Sequence, residues 1–440
     1  MKGIKVTLAA AASALLLAAP AMAFHDGGVA KCEGCHTMHN SLNGAAMQTS
    51  GTGNLGTVDH SGPYLLQGGN QPSDACLNCH EGPTLSSYHV STTDVTSALP
   101  VNRGPGGDFA WLKTTTTAAK GGHNILGLNH GYSQATKFAG GVAPGGTYPV
   151  ANLQCSSCHD PHGKYRRVVG DTIVLPSIGT SVPAIQASGS YNTSPAPTAA
   201  GAVGVYRILG GVGYLPKSAS ATPGLAFLNG PPVAVAPSTY NQSESANMVR
   251  VAYGSGMSEW CANCHGAIAA NVGTSTSNNN SGHTHPAGAA ALLTGGSVDL
   301  ASGGKISDNY NAYKYSGNLT GVQASSFDSL VPFEEGVGVT YATLAGKASY
   351  TNTNLAGPTG GTEQAMCLSC HRVHASGFAS MLRFQVDSQF VNNTDSTGTV
   401  VNWNSFTDVN AWKTAAYYDK PATAYGAYQR PLCNKCHAKD

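Results

Sequence analysis

The chain has 440 residues, of which only 10% are charged, and it contains 55 glycines and 23 prolines. This composition disfavours long amphipathic helices and favours turns, while a hydrophobic fraction of 41% is too high for a wholly disordered chain. A formal net charge of +1 is too close to neutral to indicate nucleic-acid binding. A loop-rich chain that still folds needs something besides helices and sheets to pack around.

Residues 1–23 are predicted to be an export signal. Lys2 and Lys5 form a short basic region, and residues 6–19 are an apolar segment that is too short for a comfortable membrane span. The sequence AMA at 21–23 is typical of a signal-peptidase cleavage site, so the mature chain is expected to begin at Phe24. A retained anchor helix is the alternative. We expect secretion through the Sec pathway and a single domain over residues 24–440.

The cysteines form six CxxC pairs, and a histidine follows each pair directly. CxxCH is the attachment signature of c-type haem, although a single copy is also compatible with a zinc half-site or a redox dithiol. Six motifs behind an export signal favour haem over disulfides or zinc. The attachment residues are Cys32, Cys35, Cys76, Cys79, Cys155, Cys158, Cys261, Cys264, Cys367, Cys370, Cys433 and Cys436.

Six covalently bound haems c would supply the missing core, because each is a large, flat, mostly apolar body. We therefore predict a mostly irregular, loop-rich multihaem cytochrome c with short helices and few strands. Examples are a helix over 362–374 and strands over 168–175 and 203–209. The two equal gaps, from the third motif to the fourth and from the fourth to the fifth, show no convincing internal similarity.

The histidine of each motif is the predicted proximal iron ligand. Ten further histidines exceed the six distal ligands required, which favours bis-histidine ligation over distal methionine. Six-coordinate irons leave no position for a substrate, so the sequence indicates electron transfer rather than enzymatic catalysis. The proximal ligands are His36, His80, His159, His265, His371 and His437.

Three distal candidates lie three residues after a proximal histidine, in the first, third and fifth motifs: His39, His162 and His374. On a helical turn such a residue stays on the same side of the haem as the proximal ligand. It can therefore reach a neighbouring iron but not its own, and the alternation suggests haems arranged in pairs. The alternative role is a hydrogen bond to a propionate or exposure to solvent.

Three more candidates occur in turn-rich surroundings and are assigned to the even-numbered haems: His89, His123 and His285. His25 is held in reserve as a replacement for one of the chosen distal ligands. The remaining three, His60, His130 and His283, are predicted to lie at the surface or near an iron without binding it.

Several segments carry a family resemblance: GGVAKCEGCHTMHNSL, CSSCHDPHGKYRR, MSEWCANCH, CLSCHRVHASGF and YQRPLCNKCHAKD. They resemble the filament-forming hexahaem outer-surface c-type cytochromes of metal-reducing bacteria. The resemblance implies extracellular filaments with stacked bis-histidine haems. It also implies electron delivery from upstream periplasmic or outer-membrane cytochromes to metal oxides or electrodes. At the position of His39, the family has a histidine that binds a haem of the adjacent subunit.

A wiring hypothesis follows from the motif pattern. If each odd motif donates its second histidine to the previous odd haem, His374 binds the third iron and His162 the first. His39 then has no acceptor in its own chain and binds the fifth haem of the next copy. The alternatives are a monomeric electron shuttle with the same six haems, or a reductase with one five-coordinate iron.

Overall fold

The computed structural model describes the chain in segments. These are 34–36, 41–42, 45–46, 65–67, 71–82, 89–92, 99–113, 121–134, 141–161, 167–169, 172–174, 184–185, 209–216, 225–232, 234–235, 244, 250–269, 285–294, 304–313, 320–348, 355–384, 386, 415–419 and 432–437. Within these segments, no helix has both the length and the apolar character needed to cross a membrane.

The α-helices are short, as the composition predicts. The longest, Pro72–His80, has nine residues, with proline in the first turn where no backbone N–H is needed, and Asp74 beside the positive end of the helix dipole. The others are Cys155–Cys158, Met257–Cys261, Gly266–Ala269, Ile306–Ala312, Tyr341–Lys347 and Cys367–Cys370. The 3₁₀ turns are Phe109–Lys113, Leu128–His130, Val150–Asn152, Gly288–Ala290, Gln323–Ser325, Ala379–Met381 and Leu432–Lys435.

Strands of two or three residues form small, separate sheets. Antiparallel pairs join Ser41–Leu42 to Ala45–Ala46 and Ala234–Val235 to Ala252–Tyr253. Glu81–Gly82 and Ser91–Thr92 form a parallel pair. In the one three-stranded sheet of the described segments, Arg167–Val169 lies between Thr172–Val174 and Ala184–Ile185.

Two local predictions need correction. The predicted strand over 168–175 is a hairpin of two strands, because Val169 pairs with Thr172. The predicted helix over 362–374 is wrong in extent: only Cys367–Cys370 is helical. Gln364 and His371, on either side of it, are in extended backbone that bridges Glu334 and Leu382. Of the predicted strand 203–209, only Leu209 is described, and it forms an isolated bridge to His159.

Apolar side chains cluster around the motif cysteines. The largest cluster includes Trp111, Phe327 and Leu330, and Cys155, Cys370 and Cys436 pack against it. A second contains Phe227, Tyr253, Met257, Trp260 and Met366, with Cys158, Cys261 and Cys264 against it. The buried aromatic side chains thus line the places where the CxxCH motifs come together.

Candidate haem-binding sites

The backbone of each motif brings its cysteines and histidine to one place. In four motifs the histidine N–H donates to the carbonyl oxygen of the first cysteine at 3.0 Å, which closes a single helical turn. The pairs are His159 with Cys155, His265 with Cys261, His371 with Cys367 and His437 with Cys433. In the first motif, Cys35 accepts a hydrogen bond from the Gln67 backbone N–H at 2.8 Å, and His36 bridges Leu66.

Three proximal histidines face a second imidazole at a distance that suits an iron atom. Metal–nitrogen bonds of about 2 Å on each side would place two opposed ring centroids roughly 6 Å apart. The observed separations are 6.2 Å for His123 and His265, 6.4 Å for His159 and His374, and 5.8 Å for His285 and His437. These spacings fit bis-imidazole ligation of the fourth, third and sixth irons.

Hydrogen bonds at Nδ1 orient several of these rings. The Nδ1 atoms of His123, His265, His285 and His371 lie 2.6–2.8 Å from backbone carbonyl oxygens, and in each neutral ring Nδ1–H donates. This leaves Nε2 deprotonated and available to a metal. Burial lowers the pKa of His265 and His371 and lowers that of His123 to about 4, so these rings are neutral, as metal ligation requires.

The carbonyl oxygen that accepts a hydrogen bond from His371 belongs to a strained turn. Ser380 and Met381 both have φ near +60°, in the left-handed region that non-glycine residues rarely adopt. The Ser380 carbonyl lies 2.7 Å from His371 Nδ1, and the Met381 carbonyl accepts the Arg372 N–H at 2.7 Å. This turn holds the fifth motif from its C-terminal side.

The distal candidates of the third and fourth sites lie on one paired stretch of backbone. The His123 N–H donates to the His374 carbonyl at 3.0 Å, and Gly122 bridges Ala375. The His374 ring also stacks on Phe109, with centroids 4.6 Å apart and planes 24° from parallel. A shift of this segment would therefore disturb both sites together.

The cysteines show that neighbouring motifs lie side by side. Before haem attachment, a hydrogen bond between Cys76 and Cys155 raises the pKa of the first thiol and lowers that of the second. Cys261 and Cys367 make the same contact, with the same directions. Cys158 and Cys264 pack against one apolar cluster and Cys370 and Cys436 against another, and electrostatic repulsion from Cys35 helps to raise the pKa of Cys76. The six motifs thus adjoin one another in chain order.

The second and third motifs are built like the fourth and fifth. Ser73 Oγ accepts the Cys155 N–H at 3.1 Å, and Ser258 Oγ accepts the Cys367 N–H at 3.1 Å. The acidic residue that follows each serine accepts a backbone N–H from a 3₁₀ turn: Asp74 from Asn129 at 3.1 Å, and Glu259 from Ala289 at 3.0 Å.

Sequence analysis missed this duplication, although two patterns carry it. Ser-acid-x-Cys-x-Asn-Cys-His occurs at 73–80 and 258–265, and Cys-x-Ser-Cys-His-x-x-His occurs at 155–162 and 367–374. The duplication lies in the motifs and the residues just before them, not in the two equal gaps between motifs, to which the expectation of no similarity applied. A comparison of the motifs with their preceding residues would have detected it.

The other predicted distal ligands have different outcomes. His89 lies against Gly82, two residues after His80, so closely that a Cβ on Gly82 would be 2.1 Å from its Cε1 atom. It is therefore next to the second motif, and its assignment to an even-numbered haem stays a prediction. His39, His162 and Cys32 lie outside the described residues, as do His25, His60 and His283.

The predicted local geometry of the fifth motif was wrong. His374 does not lie on the same helical turn as His371, because the helix ends at Cys370 and His371 is extended. The assignment of His374 to the third haem stays a prediction; its ring centroid lies 6.4 Å from that of His159 of the third motif. Paired imidazoles beside CxxCH thiols, on a loop-rich chain, define a multihaem c-type cytochrome.

The chain belongs to the family of the C-type cytochrome OmcS of Geobacter sulfurreducens, to which it is 49% identical over the full length of both proteins. A solved structure of OmcS nanowires from that organism is similar, with a TM-score of 0.75 and 46% identity. An Outer Membrane Cytochrome S filament structure gives a TM-score of 0.74 and 44% identity. Each covers 94% of this chain and 100% of the solved chain. No protein-family model matches the sequence. The cofactors are six covalently bound haems c.

Proposed function

We propose that this protein is an extracellular electron conduit that polymerises into a filament and delivers electrons to external acceptors such as metal oxides. The single observation that carries the proposal is the continuous row of six adjoining motifs. Haem supplies a one-electron ferric/ferrous couple when it is bound. The chain supplies closely spaced sites for it, without a break from the first motif to the last.

Contacts between neighbouring motifs hold this row of sites together. Ser73 and Ser258 bind the backbone of the following motif, so the second and third sites are held together, as are the fourth and fifth. Cys158 and Cys264 pack against the same apolar cluster, which places the third motif beside the fourth. Sites that adjoin one another favour electron transfer along the chain over reaction with a diffusing substrate.

The site residues support electron transfer rather than catalysis. We assign the distal ligands as His374 for the third haem, His123 for the fourth and His285 for the sixth, on the strength of the facing rings. His89 is assigned to the second haem because it lies beside that motif. Irons with an imidazole on each side have no open position, so we propose that the protein is not an enzyme.

The same wiring rule assigns the remaining two irons. His374 of the fifth motif faces the third site, which is two motifs back. If the second histidine of the third motif also binds the iron two motifs back, His162 binds the first iron. His39 has no motif two places before its own, so it binds the fifth haem of the next copy and joins the copies into a filament. The similarity to OmcS filament structures supports this assembly.

The location and partners follow from the same proposal. The predicted signal at residues 1–23 directs Sec export, and the assembled protein lies at the outer cell surface. Upstream periplasmic or outer-membrane cytochromes supply its electrons, and extracellular metal oxides or electrodes accept them.

The test is a His39→Ala variant, expressed with full haem attachment, with His60→Ala as the matched control. Electron microscopy of secreted His39→Ala should show discrete particles, and its spectrum should gain one high-spin haem. The His60→Ala protein should form normal filaments with low-spin haems. Normal filaments from His39→Ala, with the fifth haem still low-spin, would exclude the wiring. Discrete particles from the unmodified protein would instead favour the monomeric shuttle.

A further inference from the structure

The sixth motif differs from the other five in the residues between its cysteines. It contains Lys435, whereas no lysine or arginine lies between the two cysteines of any other motif. Lys435 is only 2% exposed, although lysine is a residue type that proteins mostly leave in contact with water. Lys435 neither attaches haem nor binds iron, so haem attachment does not account for its burial.

Three backbone carbonyl oxygens bind the Lys435 side chain. Its Nζ lies 3.1 Å from the oxygen of Tyr310, 3.0 Å from that of Tyr313 and 2.8 Å from that of Ser326. Nζ also lies 4.0 Å from the centroid of the Tyr310 ring, whose face attracts a cation. A neutral amine has two N–H bonds and an ammonium has three, so three acceptors match the charged form. The site therefore holds a positive charge in a fixed place.

The end of a helix supplies two of these carbonyl groups. Tyr310 lies in the last turn of the helix Ile306–Ala312, and Tyr313 is its C-terminal cap. Carbonyl groups at this end of a helix carry partial negative charge and favour a lysine side chain. The Asn309 side chain of the same helix donates to the Asn434 carbonyl oxygen at 2.9 Å. The helix thus binds both residues that lie between the cysteines of the sixth motif.

We propose that Lys435 supplies a fixed positive charge that raises the reduction potential of the sixth haem. The inference rests on the proposed function, because it requires that this haem accept and release electrons. When one electron arrives from a neighbouring haem, ferric iron becomes ferrous and Lys435 keeps its proton, so no other reactant is needed. Reduction removes one positive charge from the iron, and a nearby positive charge therefore favours the ferrous state.

The charge of Lys435 reaches the attachment site. Lys435 directly precedes Cys436, which forms one of the two thioether bonds. Burial raises the pKa of the Cys436 thiol to about 11, and the positive charge of Lys435 opposes that rise. Because the ammonium group is buried, dissolved ions screen it weakly, and it acts more strongly than a charge in water.

Two other charged side chains lie near Tyr310: Arg250 and Asp328. Arg250 Nη2 lies 2.6 Å from Glu335 Oε1, and Asp328 Oδ1 accepts a backbone N–H at 2.8 Å. Both charges are the same in every variant of Lys435. A comparison of those variants therefore isolates the contribution of Lys435.

The position of the sixth motif gives this charge a role in the filament. The sixth haem is the last in the row of one chain, and in the proposed filament the next copy follows it. The potential of this haem enters the free-energy difference for each transfer from one copy to the next. Lys435 therefore adjusts the step between copies rather than a step within one chain.

The test uses the haem-loaded protein with Lys435→Met, and Lys305→Met as the matched control. Lys305 is exposed and caps the start of the same helix, so the control removes an equal charge from the surface. The potentials are measured by redox titration followed by electron paramagnetic resonance. The planes of His285 and His437 lie 82° apart, against 35° and 51° for the ring pairs of the fourth and third sites. The ferric sixth haem should therefore have a distinct low-spin signal.

Lys435→Met should lower the ferrous-to-ferric ratio of the sixth haem about tenfold at a fixed electrode potential, which is a shift of about 59 mV for one electron. Lys305→Met should leave all six potentials unchanged in ordinary salt. Lys435→Arg keeps the charge and should restore most of the lost potential. In the unmodified protein, added salt should shift the sixth potential no more than the other five.

An unchanged sixth potential in Lys435→Met would overturn the proposal. The same fall in Lys435→Arg would also overturn it, because the effect would then come from packing rather than charge. So would a selective fall of the sixth potential when salt is added to the unmodified protein, a result that does not depend on the folding of any variant. Discrete particles from the unmodified protein would instead contradict the proposed function and leave the comparison of Lys435 variants intact.

Discussion

Gly122 offers a sharp test of how the third and fourth sites are built. A Cβ atom at this position would lie 2.4 Å from the Ala375 Cβ and 2.5 Å from the His374 carbonyl oxygen. Neither obstacle can move by a side-chain rotation, so Gly122→Ala must push apart the two backbone segments. These segments carry the facing imidazoles of both sites.

The size of the effect can be worked out from the contacts. Two backbone hydrogen bonds flank the clash: His123 N–H to the His374 carbonyl at 3.0 Å, and Ser376 N–H to the Gly121 carbonyl at 2.8 Å. Each contributes about 1 kcal/mol, and overpacking costs ~1–3 kcal/mol. Gly122→Ala should therefore lower the free energy of unfolding by about 3–5 kcal/mol.

The assay is the guanidinium concentration at which the low-spin haem absorbance changes by half. Gly122→Ala should lower this midpoint, and the first high-spin signal should come from two of the six haems. Gly266→Ala is the matched control. Gly266 directly follows His265 and is the first residue of a short helix, and an added Cβ there would meet nothing within 4 Å. Its midpoint should be unchanged or slightly raised. Equal midpoints for the Gly122 variant and the unmodified protein would refute the backbone pairing.

Four further single variants, and one double variant, test individual contacts. His123→Ala and His374→Ala should each convert one of the six haems to high spin in resonance Raman spectra. The double variant should convert two haems. Spectra in which all haems stay low-spin would contradict the assignments. Burial raises the pKa of Glu334 from 4.5 to about 7. The folded chain therefore binds a proton that the unfolded chain releases, and stability should fall by ~2–4 kcal/mol from about pH 4.5 to 7. Glu334→Gln should abolish that decline in denaturation midpoints, and an unchanged pH profile would contradict it. Phe109→Leu removes the ring stacked on His374 and should lower the midpoint by the equivalent of ~1–2 kcal/mol; no change would show that the stack contributes nothing.

The sequence was sufficient for the attachment chemistry but not for the pairing of ligands. CxxCH places its three functional side chains within one turn, so the six motifs can be read directly. The facing of His123 and His265 depends on long-range contacts, such as the bond between His123 Nδ1 and the Val373 carbonyl, that no local pattern predicts. The hypothesis that each odd motif donates its second histidine to the previous odd haem assigns His374 to the third site, and the His374 and His159 ring centroids lie 6.4 Å apart.

The errors in local structure have a common physical cause. A helix over 362–374 was predicted from the motif, but Gln364 pairs with Glu334 and His371 with Leu382, so tertiary pairing restricts the helix to one turn. The duplication of the two motif pairs cannot be read from cysteine spacing alone. The signal of the duplication is the serine three residues before the first cysteine of the second and fourth motifs. Its Oγ accepts a backbone N–H from the following motif and so holds each pair of motifs together.

The central claim is that six adjoining bis-histidine sites form one row that continues into the next copy. A cryo-EM map of the secreted, haem-loaded protein tests it most directly. We predict six irons in chain order, with density from iron to the paired rings His123 and His265, His159 and His374, and His285 and His437. The fifth iron should be bound by His371 and by His39 of the neighbouring copy. A map in which any of these rings is not bound to its iron, or in which the fifth iron takes both ligands from its own chain, would contradict the account.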